Sequence, residues 1–233
     1  MPTETDIANL ALGKLGGAGS QLTASGFISS INGTDMVSGW CRTLLPVCRE
    51  RVIVDLAVEK CPLRESIVYK DMGAAIDESG LPEIGDWTYA FNVPTDCLAV
   101  IWQIDEDFPD TGRKRKYKFE TILNKGKNGL ILLTNNLSNS DGDSAFIAYA
   151  TDIKNPNAFN STFTQCLTTL LASELCPLVG KETKVRTELL AEYKQVCLPD
   201  AKSFNQSQLD NQSVAAPNNY LGGRNSTISL YRT

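Results

Sequence analysis

A mixed α+β fold, with helices supplied by both ends of the chain and strands between them, is what this sequence predicts. Three features carry the prediction. In residues 146–176, FIAYATDIKNPNAFNSTFTQCLTTLLASELC, the hydrophobic spacing changes from every second residue to about every 3.6. Helical spacing recurs before residue 62 and again after residue 182. Between Ser66 and Thr151 the segments are alternating or wholly apolar, punctuated by Pro, Asn-Gly and Asp-Gly. The expected architecture is a bundle of about four helices closed from both chain ends. A small antiparallel β-sandwich or barrel is inserted in it, and an extended C-terminal arm follows. The expected boundaries are 1–62 with 152–204 for the helices, 63–151 for the β domain and 205–233 for the arm.

The first helix is expected over Thr5–Leu15, with Ile7, Leu10, Ala11 and Leu15 on one face and Gly16-Gly17 as the stop. A loop rich in Gly, Ser, Thr and Asn follows, anchored by Phe27, Ile28 and Ile31. A long helix from Asp35 to Lys60 carries Val37, Trp40, Leu44, Val47, Cys48, Val52 and Leu56 at helical spacing. Pro46 should kink it, because proline removes one intrahelical bond and crowds the preceding turn.

Five strands are expected next. WTYAFNV (87–93) alternates strictly, LAVIWQI (98–104) is apolar on both faces and central, and YKFETI (117–122) alternates again. Asn128-Gly129 signals a two-residue hairpin turn before LILLT (130–134), and Asp141-Gly142-Asp143 turns into the strand at 146–150. Residues 71–86 read as a long exposed loop. Asn155-Pro156 marks the start of the third helix, which carries Phe159, Phe163, Leu167, Leu170 and Leu171. The fourth runs from Glu182 to Phe204 with a second kink at Pro199. Residues 205–233 are polar and Asn/Gln/Ser-rich, unable to offset their own ordering entropy, yet end in the strand-like STISLY.

With 233 residues, 42% hydrophobic and 21% charged, the chain can bury sizeable cores. A net charge of -5 argues against a protein whose main task is to grip phosphate backbones. The N-terminus is acidic before it is apolar and no apolar run reaches membrane-spanning length, so the expectation is cytoplasmic folding without a membrane. Histidine is absent, which removes the usual general base and zinc ligand. The seven cysteines form no CxxC pair and read as reduced core residues, so no metal or other cofactor is expected.

Four blocks, in order, carry a resemblance. They are DIANLALGKLGG; DMVSGWCRTLLPVCRERVIVDL with its internal proline; YAFNVPTDCLAV; and the stretch at 146–176. Together they resemble the head-to-tail adaptors of short-tailed bacteriophages, the tail tubular protein A or portal-docking connector family, over residues 6–205. The resemblance implies a virion protein assembled in the host cytoplasm, a homo-oligomeric ring commonly of twelve copies. Its implied partners are the portal protein on one side and the tail nozzle protein on the other, with DNA passing through the lumen without sequence-specific binding. It also implies that the arm meets the portal through Asn205, Tyr220, Leu221, Ile228, Leu230 and Tyr231. Residues 152–157 would then be the hinge between ring wall and tail-facing domain. The chain departs from the family pattern in the 71–86 loop, the Asn-rich tail and Cys61-Pro62-Leu63.

Charges are segregated between two strands: Asp105, Glu106, Asp107 and Asp110 precede Arg113, Lys114, Arg115, Lys116 and Lys118. A solvated hairpin tip is the first reading, complementary contact between subunits the second. DNA contact aided by Tyr117 and Phe119 is the third. An enzyme would have to work with carboxylates. The alternative function is therefore a carboxylate-based peptidoglycan hydrolase of the tail, using Asp105, Glu106 or Glu120, though nothing in their spacing selects these from 27 acidic residues. Trp40, Trp87 and Trp102 are expected in the core. GKLGG and LGGRN lack the GK[ST] ending of a phosphate-binding loop.

Overall fold

A computed structural model describes residues 2–16, 27–76, 86–104, 116–124, 129–137 and 144–209. Within them the fold is α+β, with four helices and two antiparallel sheets. Contacts divide the chain into a helical unit, Met1–Ser66 with Thr151–Phe204, and a strand unit built from Ile67–Ala150. A 3-10 turn at Arg64–Ser66 closes the first half of the helical unit.

In the helical unit, α1 (Glu4–Lys14) opens on a reciprocal cap. Thr3 Oγ1 accepts from the Asp6 N–H at 3.2 Å, and the Thr3 N–H donates to the Asp6 carboxylate at 2.8 Å. Gly16, at φ +77°, ends it. Ile7, Ala8, Ala11 and Leu12 are buried, whereas Leu10, expected on that face, is 55% exposed. Helix α2 (Met36–Val58) is capped by Asp35, which accepts from the Ser38 N–H at 2.8 Å. Gly33 is required there: a Cβ would lie 2.7 Å from the Asp35 carboxylate and 2.8 Å from the Ser38 hydroxyl. Helix α2 stays continuous across Pro46. Its buried face runs through Val37, Cys41, Leu45, Cys48, Val52 and Leu56. Of the expected stripe, Val37, Cys48, Val52 and Leu56 lie on this face, whereas Trp40, Leu44 and Val47 do not. This helix is apolar on two faces, and periodicity alone does not say which one a neighbour covers.

Helix α3 (Ser161–Leu175) starts later than the Asn155-Pro156 signal. Asn155 caps a single 3-10 turn, Pro156–Ala158, by accepting from the Asn157 N–H at 3.0 Å. Phe159 then runs extended, and Asn160 caps α3 by accepting from the Phe163 N–H at 2.7 Å. Two asparagine caps stand in series, and because Phe159 between them is extended, the α-helix begins only at the second. Helix α3 contacts α1, α2 and the last helix, α4 (Thr183–Glu192).

Helix α4 runs into a π-turn, Tyr193–Cys197, and continues helically through 198–209, beyond the expected end at Phe204. The Leu198 N–H reaches back five residues to the Tyr193 carbonyl. Pro199 has no N–H to donate and its ring crowds the carbonyl four residues earlier. The wider preceding turn makes that room, so the expected kink takes the form of a π-turn. The buried Tyr193 hydroxyl donates to Asp55 Oδ2 at 2.7 Å, joining this turn to α2. Burial, and the Asp55 carboxylate beside it, raise the phenol above its usual pKa. Tyr193→Phe should cost about 1.5–3 kcal/mol in urea unfolding, the range for a hydrogen bond to a charged group. A loss below a few tenths would mean that water replaces the phenol at Asp55.

The strand unit holds seven strands among the described residues, where five were expected: β1 (Ile67–Asp71), β2 (Tyr89–Asn92), β3 (Cys97–Ile104), β4 (Lys116–Tyr117), β5 (Phe119–Asn124), β6 (Gly129–Thr134) and β7 (Phe146–Thr151). They form one sheet in the order β1-β7-β3-β4 and another in the order β2-β6-β5. The segment at 117–122 is two strands. Tyr117 lies opposite Gln103 in the first sheet and Phe119 opposite Thr134 in the second, with Lys118 as the crossing residue. Gly129 lies within the β5–β6 ladder opposite Asn124, so Asn128-Gly129 is not a two-residue turn; residue 128 itself is outside the described set. The start of the 71–86 loop is bonded rather than free: the Met72 N–H donates to the Ala145 carbonyl and the Ile76 N–H to that of Ala90. Residues 77–85 and the Asp-Gly-Asp turn lie outside the described residues.

Phe91 and Leu132 from the second sheet meet Val100, Ile147 and Tyr149 from the first in a shared core. A buried polar tie crosses it. The Thr134 hydroxyl donates to Gln103 Oε1 and the Gln103 amide donates to the Asn136 carbonyl, both at 2.6 Å. Strict burial alternation in β2 fails because its sheet is covered on both faces. Phe91 faces the shared core, while Ala90 packs with Ile131 and Leu133 on the other side, flanked by Ile76, Trp87 and Ile122.

Candidate functional site

The most constrained charged group in the helical unit is Arg49. It lies in the middle of α2 on the buried face and is 4% exposed. Its Nε donates to Asp152 Oδ1 and its Nη2 to Asp152 Oδ2, both at 2.7 Å, a planar fork on a carboxylate. Glu4 Oε1 lies 3.6 Å from Nη1. One guanidinium thus joins the first turn of α1, the centre of α2 and the first residue after β7. Asp152 opens the 152–157 segment read from the sequence as a hinge, and this pair pins that end of it. Arg49 was not among the residues expected at a site. The available signal was an arginine at a position where helical spacing calls for an apolar residue, between Cys48 and Val52.

Of the predicted arm residues, only Asn205 falls within the described set. It is helical and 2% exposed, so it belongs to the end of α4 and not to an extended arm. Tyr220, Leu221, Ile228, Leu230 and Tyr231 lie outside the described residues, as do Asp105, Glu106, Asp107, Asp110, Arg113, Lys114 and Arg115. Lys116 is described. It is exposed at the end of β4 opposite Ile104, with Nζ 4.7 Å from the Trp102 ring centroid. Lys118 Nζ sits 6.0 Å from the Trp87 ring, and the Trp87 indole donates to Glu120 at 3.1 Å. These three charges therefore engage aromatic groups of their own chain. Trp102 is buried, while Trp40 and Trp87 are only half-buried, which corrects the expectation of three core tryptophans.

Among the described residues, no three His, Cys, Asp or Glu side chains are placed to hold a metal ion. All seven cysteines are free thiols. Burial pushes Cys48, Cys97 and Cys166 up to about 12 and Cys41 up to about 11. Each therefore stays protonated at neutral pH, where a nucleophile or metal ligand would need the thiolate. No helix among the described residues is long and apolar enough to cross a membrane.

What the described surface does offer is apolar area for contact. Met36, Val47 and Val58 on α2 are 63%, 60% and 64% exposed. No protein-family model and no curated protein matches the chain.

Proposed function

We propose that the chain is a structural head-to-tail adaptor of a short-tailed bacteriophage, forming a ring between the portal and the tail nozzle through which DNA passes. The observation that carries this reading is where the four resembling blocks fall. They coincide with α1, with α2, with the corner from β2 to β3, and with the passage from β7 into α3. These are the framework elements of the fold and not its loops. A helical unit made from two separate stretches of chain, with a strand unit inserted between them, supports the same reading. So do the described thiols, which are free and mostly buried, and the carboxylates of Asp6, Asp35 and Asp152, which cap helices or pair with Arg49. A ring needs heterologous faces that close by rotation.

The test is mass in solution, measured alone and with a portal protein. A ring on the portal is expected, and a chain that stays a single copy even with portal present would overturn the proposal. The arm is tested separately. Because the helix runs through 209, the truncation should remove residues 210–233 and keep Asn205. The shortened chain should unfold at an unchanged midpoint and lose portal docking completely. If it still docks, the arm is not the anchor.

A further inference from the structure

The buried positions of the last helix fall at intervals of four. Leu189, Tyr193, Cys197, Ala201 and Asn205 are each 7% exposed or less, and the residues between them are half-buried or exposed. A regular α-helix cannot keep such a series on one side. Four residues at about 100° each overshoot a full turn by about 40°, so four such steps carry Asn205 about 160° from Leu189. A buried stripe is roughly 100° wide, and Asn205 would therefore face solvent. It is instead buried, and between the second and third members of the series stands the π-turn, Tyr193–Cys197. A turn closed from the Leu198 N–H to the Tyr193 carbonyl holds one residue more than an α-turn does. One extra residue takes up about 100°, which leaves Asn205 about 60° from Leu189 and inside the stripe.

We infer that the π-turn is a phase-correcting insertion. The helix carries one residue more than α geometry needs, and the turn absorbs it so that the stretches before and after bury the same face. Two side-chain contacts fix the phase where the turn forms. The Tyr193 hydroxyl is held on Asp55 of α2, and Cys197 Sγ lies 3.5 Å from Thr169 Oγ1 of α3. Pro199 fits the wider turn, because its ring needs room at the Gln195 carbonyl, but it does not set the phase. The consequence reaches the end of the helix. Residue 209 is delivered on a side about 100° from where an unbroken α-helix would deliver it. The inference concerns the phase of one helix and does not rest on the adaptor reading. Under that reading, the same residue decides from which side of α4 the arm departs.

Deleting Gln195, which is exposed within the turn, from a Pro199→Ala chain removes both the surplus residue and the obstacle to a plain α-helix. The buried series then falls at intervals of four, three, four and four, which an α-helix holds on one side. Thermal melting followed by circular dichroism should put this variant within roughly 5 °C of the undeleted Pro199→Ala chain. Inserting one alanine after Gln195 in the same background adds a second surplus residue and turns Ala201 and Asn205 about 100° away. That variant should melt roughly 10 °C lower or more. A crystal structure of the Pro199→Ala chain should still show the Leu198 N–H on the Tyr193 carbonyl. The inference is overturned by a deletion that lowers the midpoint more than half as far as the insertion does. It is equally overturned if the Pro199→Ala chain forms a plain α-helix through residue 199.

Discussion

Arg49→Ala is expected to destabilise the helical unit by about 3–5 kcal/mol, because it strips a partly buried carboxylate of both its bonds and leaves a void in α2. For a chain of this size that corresponds to a melting transition lowered by roughly 10 °C. The geometry behind the figure is the two-pronged contact with Asp152 at 2.7 Å and the 4% exposure of the arginine. A second variant separates charge loss from packing loss. Arg49→Met with Asp152→Leu removes both charges and keeps the volume, so it should recover most of the stability, as apolar replacements of buried ion pairs often do. Urea unfolding followed by far-UV circular dichroism reads both. If Arg49→Ala costs less than 1 kcal/mol, Asp152 is solvated on its own and the clamp adds nothing.

Phe163→Ala should cost a similar amount, about 3–5 kcal/mol, the usual range for deleting a fully buried ring. Phe163 is 0% exposed, lies in the first turn of the helix that touches α1, α2 and α4, and has its ring centroid 4.8 Å from that of Phe159. Phe159→Ala should cost less than half as much, because Phe159 is only half-buried and sits in the extended link before the helix. Equal losses at the two positions, read from the same urea curves, would show that the link packs as tightly as the helix.

That pair of phenylalanines marks a limit of local sequence spacing. Both fit one helical repeat, since residues 159 and 163 are four apart, so spacing alone put them in one helix. A second asparagine cap at Asn160 separates them. The sequence contained that signal, but two caps five residues apart compete, and only the donors each one reaches decide between them. The same limit applied to YKFETI, where alternation continues unbroken across Lys118 although the residues on either side pair with different sheets. Nothing local in a strand says which partner it hydrogen-bonds to.

Of the candidate site, little was legible. The arm and charge runs stood out by composition, yet of their named members only Asn205, Lys116 and Lys118 fall among the described residues. Asn205 proved to be helical and buried. The pairing of Arg49 with Asp152 was hidden because the two lie 103 residues apart in the chain and no local spacing joins them.

By itself the sequence determined the α+β class, the order of the four helices around a strand-rich middle, and the passage from strand to helix after Thr151. These depend on local spacing and on donors within three or four residues. Tertiary structure alone decided which of two apolar faces α2 buries, where Pro199 is accommodated, which sheet receives each strand and which charges meet. Each of those outcomes is fixed by an atom distant in the chain, so the energy that selects it exists only once the chain has folded.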